Sequence, residues 1–345
     1  MSTLYANTGY TLLDRFKETV DGKNMARIIQ VMNYYGVADF FADWPAQEAS
    51  HGLKHQVVRT VNVPASTRQA LDAGVAPNVT HTQTVWEDVV LFAQRRSIHD
   101  KRLDTLSAQG KKDKLGMEDD SHRRALGKDI VNGIFNDNPT SGGEYINGLF
   151  SRLDALNSSG LDNVRSAGFT SGGSTTTRLI IVELNPNDGA YLVYPPGSMT
   201  PNAGSYGVYE EDKGKENIVD PNNSLAIRYD YVAIFEAWLG MAVGNNLKMG
   251  CMANINPTYG GTGAIDDDFF DKLNSLLAVL DLDYSRTRIY INRGLGAQLN
   301  NYSRTKNNVN WPTTEIFGRK PKDYQGIVIR EIDPVIITNT MAVVS

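Results

Sequence analysis

Between residues 225 and 243 apolar and polar positions alternate almost without a break. Leu225, Ile227, Tyr229, Tyr231, Ala233, Phe235, Ala237, Leu239, Met241 and Val243 fall on one side. Arg228, Asp230 and Glu236 share the other side with Val232, Ile234 and Trp238. Period-2 alternation predicts a half-buried strand. At about 3.3 Å per residue it would run roughly 60 Å, whereas globular strands usually have about 5–6 residues. A strand that long either bends hard or belongs to an elongated subunit whose ribbons are covered by other copies of itself. A second ribbon is predicted by residues 56–63 and 79–94, two strand-like runs flanking the loop 64–78, which is rich in Ala, Pro, Gly and Asp. Isolated two-stranded ribbons are marginal in water, so this one needs a surface from its own domain or from a neighbour.

Helical spacing governs other stretches. Residues 11–20 and 23–35 read as two short helices interrupted by Asp21-Gly22, and Trp44-Pro45 stops the pattern because proline pushes the preceding residue toward extended geometry. The first 50 or so residues carry too few apolar positions to close a core. They either pack on the main body or form an arm lying on a neighbouring subunit. Residues 115–135 predict a long helix through Met117, Ala125, Leu126, Ile130, Ile134 and Phe135, ended by Asn138-Pro139. A shorter amphipathic segment follows at 144–156, then a Gly/Ser/Thr-rich connector at 158–177. Strand-like runs 178–184 and 190–194 flank Asn185-Pro186-Asn187-Asp188-Gly189, a hairpin signal. Residues 206–223 read as a charged, solvent-facing ribbon. Asp266-Asp267-Asp268, then Phe269, Phe270, Leu273, Leu276, Leu277 and Leu280, predict an acid-capped core helix. Strands at 288–292, 326–331 and 335–337 and a helix at 294–302 complete an α+β fold, with helices covering a mixed sheet in the C-terminal half.

Composition narrows the function. The 345 residues permit one large domain or two smaller ones, and 41% hydrophobic and 21% charged residues are ordinary for a globular chain. A net charge of −5 argues against a dedicated nucleic-acid binder, though not against a protein that encloses nucleic acid. The single cysteine, Cys251, excludes an internal disulfide framework and a multi-cysteine metal site. The opening Met1-Ser2-Thr3-Leu4-Tyr5 lacks the regions of a signal peptide, and no apolar run approaches about 18 residues, so we expect no membrane association and assembly in cytosol.

Chemical motifs fail one by one. His51 and His55 are four apart, with Gly52 between them and no third ligand nearby. Asp266 to Asp268 read as helix-capping charges. Asp281-x-Asp283-x-Ser285 lacks the glycine and glutamate of a calcium loop, having Arg286 and Asn292 there. Gly294-Leu295-Gly296 has no third glycine, and the Gly-Lys pairs at 110–111, 127–128 and 214–215 lack phosphate-loop spacing. No catalytic, cofactor or metal residue is expected. Lys111, Lys112 and Lys114, with Arg123 and Arg124 nearby, form a modestly basic stretch: a solvated face, or a weak phosphate contact.

The order of parts, and three stretches within it, carry a resemblance. These are 145–153 (YINGLFSRL), 192–198 (LVYPPGS) and the long strand leading to 250–255 (GCMANI). Together they resemble tailed-bacteriophage major capsid proteins, most nearly the coat proteins of certain short-tailed phages. The resemblance implies an N-terminal arm (1–52), an extended β-hairpin (53–95), a peripheral domain with a spine helix and the long strand (96–139 and 223–257), and an axial domain with a central sheet (140–222 and 258–345). It implies a homo-oligomer of hexamers and pentamers closing an icosahedral shell around double-stranded DNA, with decoration, scaffolding and portal proteins as further partners. The particle would be a virion assembled in the host cytoplasm. Phe40, Trp44, Thr67, Arg68, Leu71 and Trp86 are the inter-subunit contact candidates. Lys111, Lys112, Lys114, Arg123 and Arg124 are the candidates for weak, non-specific DNA contact, their charge offset by Asp113, Glu118, Asp119 and Asp120. Some relatives cross-link through a hairpin lysine, but no lysine occurs here between Lys54 and Lys101. A bacterial nanocompartment shell protein of the same fold, and a soluble ligand-binding enzyme, are the alternatives.

Overall fold

The computed structural model describes residues 19–20, 24–25, 36–62, 64–66, 68, 74, 77–141, 144–156, 162–169, 175–202, 204–220, 223–258, 262–305 and 323–344. In chain order these form β1 (Thr19–Val20), β2 (Asn24–Met25), α1 (Val37–Asp43), β3 (Ala46–Glu48), β4 (Lys54–Asn62), β5 (His81–His99), α2 (Asp100–Asp104) and α3 (Ala108–Asn136). Then come α4 (Leu149–Arg152), β6 (Val164–Ser166), β7 (Thr177–Glu183), β8 (Ala190–Tyr194), β9 (Tyr209–Asp220), β10 (Asn223–Val243) and β11 (Met249–Ile255). The chain ends with α5 (Asp267–Val279), β12 (Thr287–Asn292), α6 (Arg293–Thr305), β13 (Asp323–Tyr324) and β14 (Ile327–Ile332). Two compact units result, one drawn from Met1–Tyr34, Ala93–Gly127 and Val208–Ala237, the other from Tyr35–Phe92, Lys128–Gly207 and Trp238–Ser345. The three longest elements, β5, α3 and β10, each run from one unit into the other.

The larger unit is built on a mixed sheet of order β13-β14-β12-β7-β11-β6. Helices α5 and α6 press Phe269, Leu273, Leu276, Leu295 and Leu299 onto one face, against Leu179, Ile181, Met252, Ile289 and Ile291. The opposite face carries an aromatic group. Phe40 stacks on Trp44 at 4.8 Å, Phe135 meets Tyr290 edge-on at 5.5 Å, and the Trp44 indole N–H donates to the Tyr290 hydroxyl at 2.9 Å. Covering on both faces explains why 178–184 and 288–292 are nearly unbroken apolar runs. The α5 stripe is met as predicted, with Asp266 accepting from the Phe269 N–H at 2.9 Å as its N-cap.

Several sequence expectations need correction. Thr19–Val20 pairs antiparallel with Asn24–Met25, so helices do not flank Asp21-Gly22 there; Asp-Gly after the β-branched Thr19-Val20 is a hairpin signal, and the rest of both predicted helices lies outside the described residues. The strands flanking 185–189 are not partners: β7 joins β11 and β12, while β8 joins β3 and β10. The turn is instead held by the exit of β10, where the Gly244 N–H donates to the Gly189 carbonyl at 2.9 Å and the Asn245 N–H to the Asp188 carbonyl at 2.7 Å. A Cβ on Gly244 would lie 2.7 Å from the Asp188 backbone, so only glycine fits. The segment 144–156 is helical only over Leu149–Arg152, and the connector 158–177 contributes β6 as a parallel edge strand. Residues 335–337 form a turn whose N–H groups return to Asp333, not a strand.

The second sheet, of order β3-β8-β10-β5-β4, supplies the root of the first ribbon, and β9 pairs along β10 in the smaller unit. The β9–β10 register slips where Val232 faces Gly214 and Ala233 faces Asp212, and Gly214 takes φ of 70° in a bulge that leaves Lys213 extra. Both ribbons were legible in the alternation, and both are longer than expected: β5 has 19 residues and β10 has 21.

Phe40 has no exposed surface and touches three other aromatic rings besides its neighbour Phe41. Phe40→Ala should therefore lower the unfolding free energy by about 3–5 kcal/mol, read as a shifted denaturant midpoint. A loss below about 1 kcal/mol would mean that α1 is not part of this core.

Candidate functional site

The β4–β5 ribbon has one buried and one open face. Its register places His55 opposite Glu87, Val57 opposite Val85 and Arg59 opposite Gln83 on one side, with Gln56 opposite Trp86, Val58 opposite Thr84 and Thr60 opposite Thr82 on the other. The first side is covered at its root, where Val57 and Val89 pack with Ala49, Tyr191, Val193 and Ala242. Glu87, 3% exposed, receives two parallel bonds from the Arg152 guanidinium at 2.9 and 2.6 Å. Arg59 donates to the Val243 carbonyl at 2.7 Å, and His55 Nε2 lies 2.9 Å from the Tyr191 hydroxyl. The second side is solvent-facing: Trp86 is 48% and Val58 58% exposed. At its root end Lys54 and Asp88 pair at 3.3 Å, and His51 meets the Trp86 ring edge-on at 5.1 Å.

The smaller unit presents a second open ribbon face. Ile227 lies opposite Val219 and Tyr229 opposite Asn217, and Ile227 is 70% exposed. The Lys215 ammonium lies 5.2 Å from the Tyr229 ring centre, a cation–π contact. The opposite parity of β10 is the buried one here: Asp230 is fully buried, accepting from Ser97 Oγ at 2.5 Å and from Arg228 at 2.9 Å. The side read from sequence as one continuous apolar stripe is thus core from Ala233 onward and solvent-facing at Ile227 and Tyr229. Charged side chains hold the N-terminal part of α3 within this unit. Arg96 bonds Asp119, Arg123 bonds Glu210 at 2.6 Å, and Lys111 reaches Asp104 at 2.9 Å and the Tyr231 hydroxyl at 3.1 Å. Burial pushes the Asp119 carboxyl up, against the pull of Arg96.

The sequence-nominated residues fare differently. Trp86 and Arg68 are exposed, and Thr67 and Leu71 lie outside the described residues. Phe40 and Trp44 are a correction: they are core aromatics of their own chain and offer no surface to a neighbour. Lys114 is also corrected, being buried and paired with Glu118 at 3.0 Å. Arg124 pairs with Asp120 at 2.9 Å, which leaves exposed Lys112 as the nominated cation without an ion pair among the described residues. Sequence reading missed Val58, Val219, Ile227 and Tyr229. For Ile227 and Tyr229 the available signal was that the charged partner strand, residues 209–220, brings little apolar surface beside them.

Reactive chemistry is sparse. A cleft of about 550 Å³ is lined by Asp43, Asn185, Asn187, Ser285, Arg286 and Arg288, but Asp43 is engaged by Arg330 at 2.6 and 3.0 Å. Among the described residues no three His, Cys, Asp or Glu side chains come together as a metal site. Cys251 is buried in β11, and burial pushes its thiol up to about 12, so it is an inert thiol.

The model of the family described as Major capsid protein GP7 matches residues 20–344. A chain in the near-atomic structure of bacteriophage epsilon15 superposes with a TM-score of 0.72 at 18% identity, covering 100% of both chains. The capsid of bacteriophage JBD30 gives a TM-score of 0.49 at 10% identity over 86% of this chain and 90% of that one. No curated protein matches the sequence.

Breaking the pair at the ribbon root should be expensive. Glu87→Gln leaves the Arg152 guanidinium, whose side chain is 8% exposed, without its counter-charge and should destabilise the larger unit by about 3–5 kcal/mol. Chemical unfolding followed by far-UV circular dichroism reads this, and a neutral outcome would show that the pair does not hold the root.

Proposed function

This chain belongs to the Major capsid protein GP7 family and is a bacteriophage capsid shell protein, and on that premise we propose that copies of it close the shell through their two open ribbon faces. One observation carries the reading: the β4–β5 ribbon is clamped at its root by Glu87 and Arg152, yet exposes Trp86 and Val58 along its free face. Large exposed aromatics on a positioned element suit a subunit contact. The ribbon tip, 64–78, rests on an adjacent subunit, and the Ile227–Tyr229 face of the smaller unit meets another copy. Heterologous contacts of this kind close into rings when the rotation allows, which suits hexamers and pentamers of one chain. We assign 96–139 and 223–257 to a peripheral domain and 140–222 and 258–345 to an axial domain, with 1–52 as an arm. The shell forms in the host cytoplasm and encloses double-stranded DNA, and decoration, scaffolding and portal proteins are its further partners. No catalytic role is proposed. The family match leaves neither the nanocompartment nor the soluble enzyme with an observation in its favour.

Trp86→Ala should leave the sheets folded and raise the concentration needed for assembly by at least about tenfold, roughly 1.4 kcal/mol per contact. Deleting 64–78 should abolish shells altogether. Negative-stain images and sedimentation of the purified protein read both outcomes, and normal shells from the deletion variant would sink the ribbon contact.

The basic residues around α3 are mostly paired within the chain, so the lining should bind DNA weakly. We expect sequence-independent binding that vanishes at moderate salt. Sub-micromolar affinity for duplex DNA in physiological salt would refute it.

A further inference from the structure

The ribbon root holds a buried imidazole for which shell building has no evident use. His55 is 5% exposed. Its Nδ1 accepts from the Ser50 backbone N–H at 3.3 Å, which leaves the proton on Nε2 to be donated to the Tyr191 hydroxyl at 2.9 Å. The two rings are close to perpendicular at 5.6 Å. Charged groups face it from every side. Glu87 lies directly across on β5, Arg152 reaches that carboxylate from α4, and Arg59 follows on β4 itself. From the preceding turn, His51 bonds Ser50 Oγ at 2.9 Å, while Lys54 and Asp88 pair with each other on the open side. Glu87 and the His51 imidazole act on the ring directly, and both guanidinium groups already bear on that one carboxylate. A proton on Nδ1 would displace the Ser50 N–H and set a third cation against that single carboxylate.

We propose that His55 is an acid-sensitive latch: its protonation releases the ribbon root from the Ser50 turn, so that the ribbon is firmly seated at neutral pH and loosened in acid. The device needs no neighbouring copy, so it can fail while the shell reading stands. Burial holds the His55 imidazole below its ordinary 6.5, against the opposing pull of Glu87. Above 6.5 neither the seated nor the open root binds the proton, and seating has its full strength. As the pH falls from there to the depressed value, only the open root takes the proton, and seating weakens by up to about tenfold per pH unit. Below the depressed value both are protonated and nothing more is lost.

Hydrogen exchange on the purified full chain tests this, following the amides of Val57 and Val89 between about pH 7.5 and 3.5, with β12 and β14 amides as the internal reference. Root protection should fall relative to the reference as the pH drops below 6.5, with a midpoint below that ordinary imidazole value. His55→Gln, which offers an uncharged acceptor and donor, should abolish the fall. An unchanged root in the wild type, or an equal fall in His55→Gln, would overturn the latch. So would a midpoint near about 4, which would assign the effect to a carboxylate such as Glu87. If the variant does not fold, the wild-type midpoint alone decides.

Discussion

Taking a carboxylate and a guanidinium out of water costs several kcal/mol per ion before their attraction offsets it. Glu87 and Arg152 meet that cost with two parallel bonds, and Arg152 Nε also donates to the Asn147 carbonyl at 2.9 Å. What such a pair supplies best is position. It fixes β5 at the point where burial ends: Glu87 and Val89 are buried, Val85 is half-buried, and residues 81–84 are exposed. From that clamp outward, a two-stranded ribbon cannot cover itself, because pairing satisfies the backbone and leaves one whole face of side chains in water. The open faces, the need for a neighbour and the sensitivity of the root to charge all derive from this one constraint.

The two units are held by different chemistry. In the larger one, a sheet covered on both faces buries Ile180, Ile181, Tyr290 and Ile291 almost completely, and apolar contact sets the packing. In the smaller one the N-terminal part of α3 is polar on most of its surface and is fastened through Arg96, Lys111 and Arg123. The Arg96 pair is buried, but those of Lys111 and Arg123 are partly exposed, and such pairs are worth about 0–1 kcal/mol each and weaken with salt. The smaller unit therefore depends on ionic conditions more than the larger does.

Local pattern made much of this legible. The alternation at 225–243, the acid-capped stripe from Asp266 to Leu280 and the 288–292 run are signals a few residues wide, and each element formed where its period said. What failed was decided by partners distant in sequence. Asn185 to Gly189 looks like a hairpin turn, but Gly244 and Asn245 take its carbonyls and send β7 and β8 to different sheets. Phe40 and Trp44 were assigned to a surface because the segment before them is poor in apolar residues, whereas their burial comes from Phe135 and Tyr290, far along the chain. Alternation marked Ile227 and Tyr229 as one apolar side with Phe235; it cannot say where along a strand the covering stops. The contact candidate Trp86 was readable because its strand could be read, while the tip residues Thr67 and Leu71 lie outside the described residues.

Two routes to covalent cohesion find no support in this chain. Cys251 is inert in its strand, and no lysine lies between Lys54 and Lys101. An aromatic side chain that buries about 200 Å² contributes roughly 5 kcal/mol at about 25 cal/mol per Å². Much of that is offset by the freedom lost on association, which leaves each contact weak. Two features of this chain act against that loss. A ribbon fixed at its root is already ordered before it meets a partner, so docking restricts it less. And under the proposed contacts a copy that offers two apolar ribbon faces would engage more than one neighbour, so once the first contact formed, the next would benefit from a high effective concentration. Persistence would then arise from closure and not from any single strong bond. On that proposal the buried Glu87–Arg152 pair would matter to the shell without touching its interfaces, since it would lower the entropy each interface must overcome.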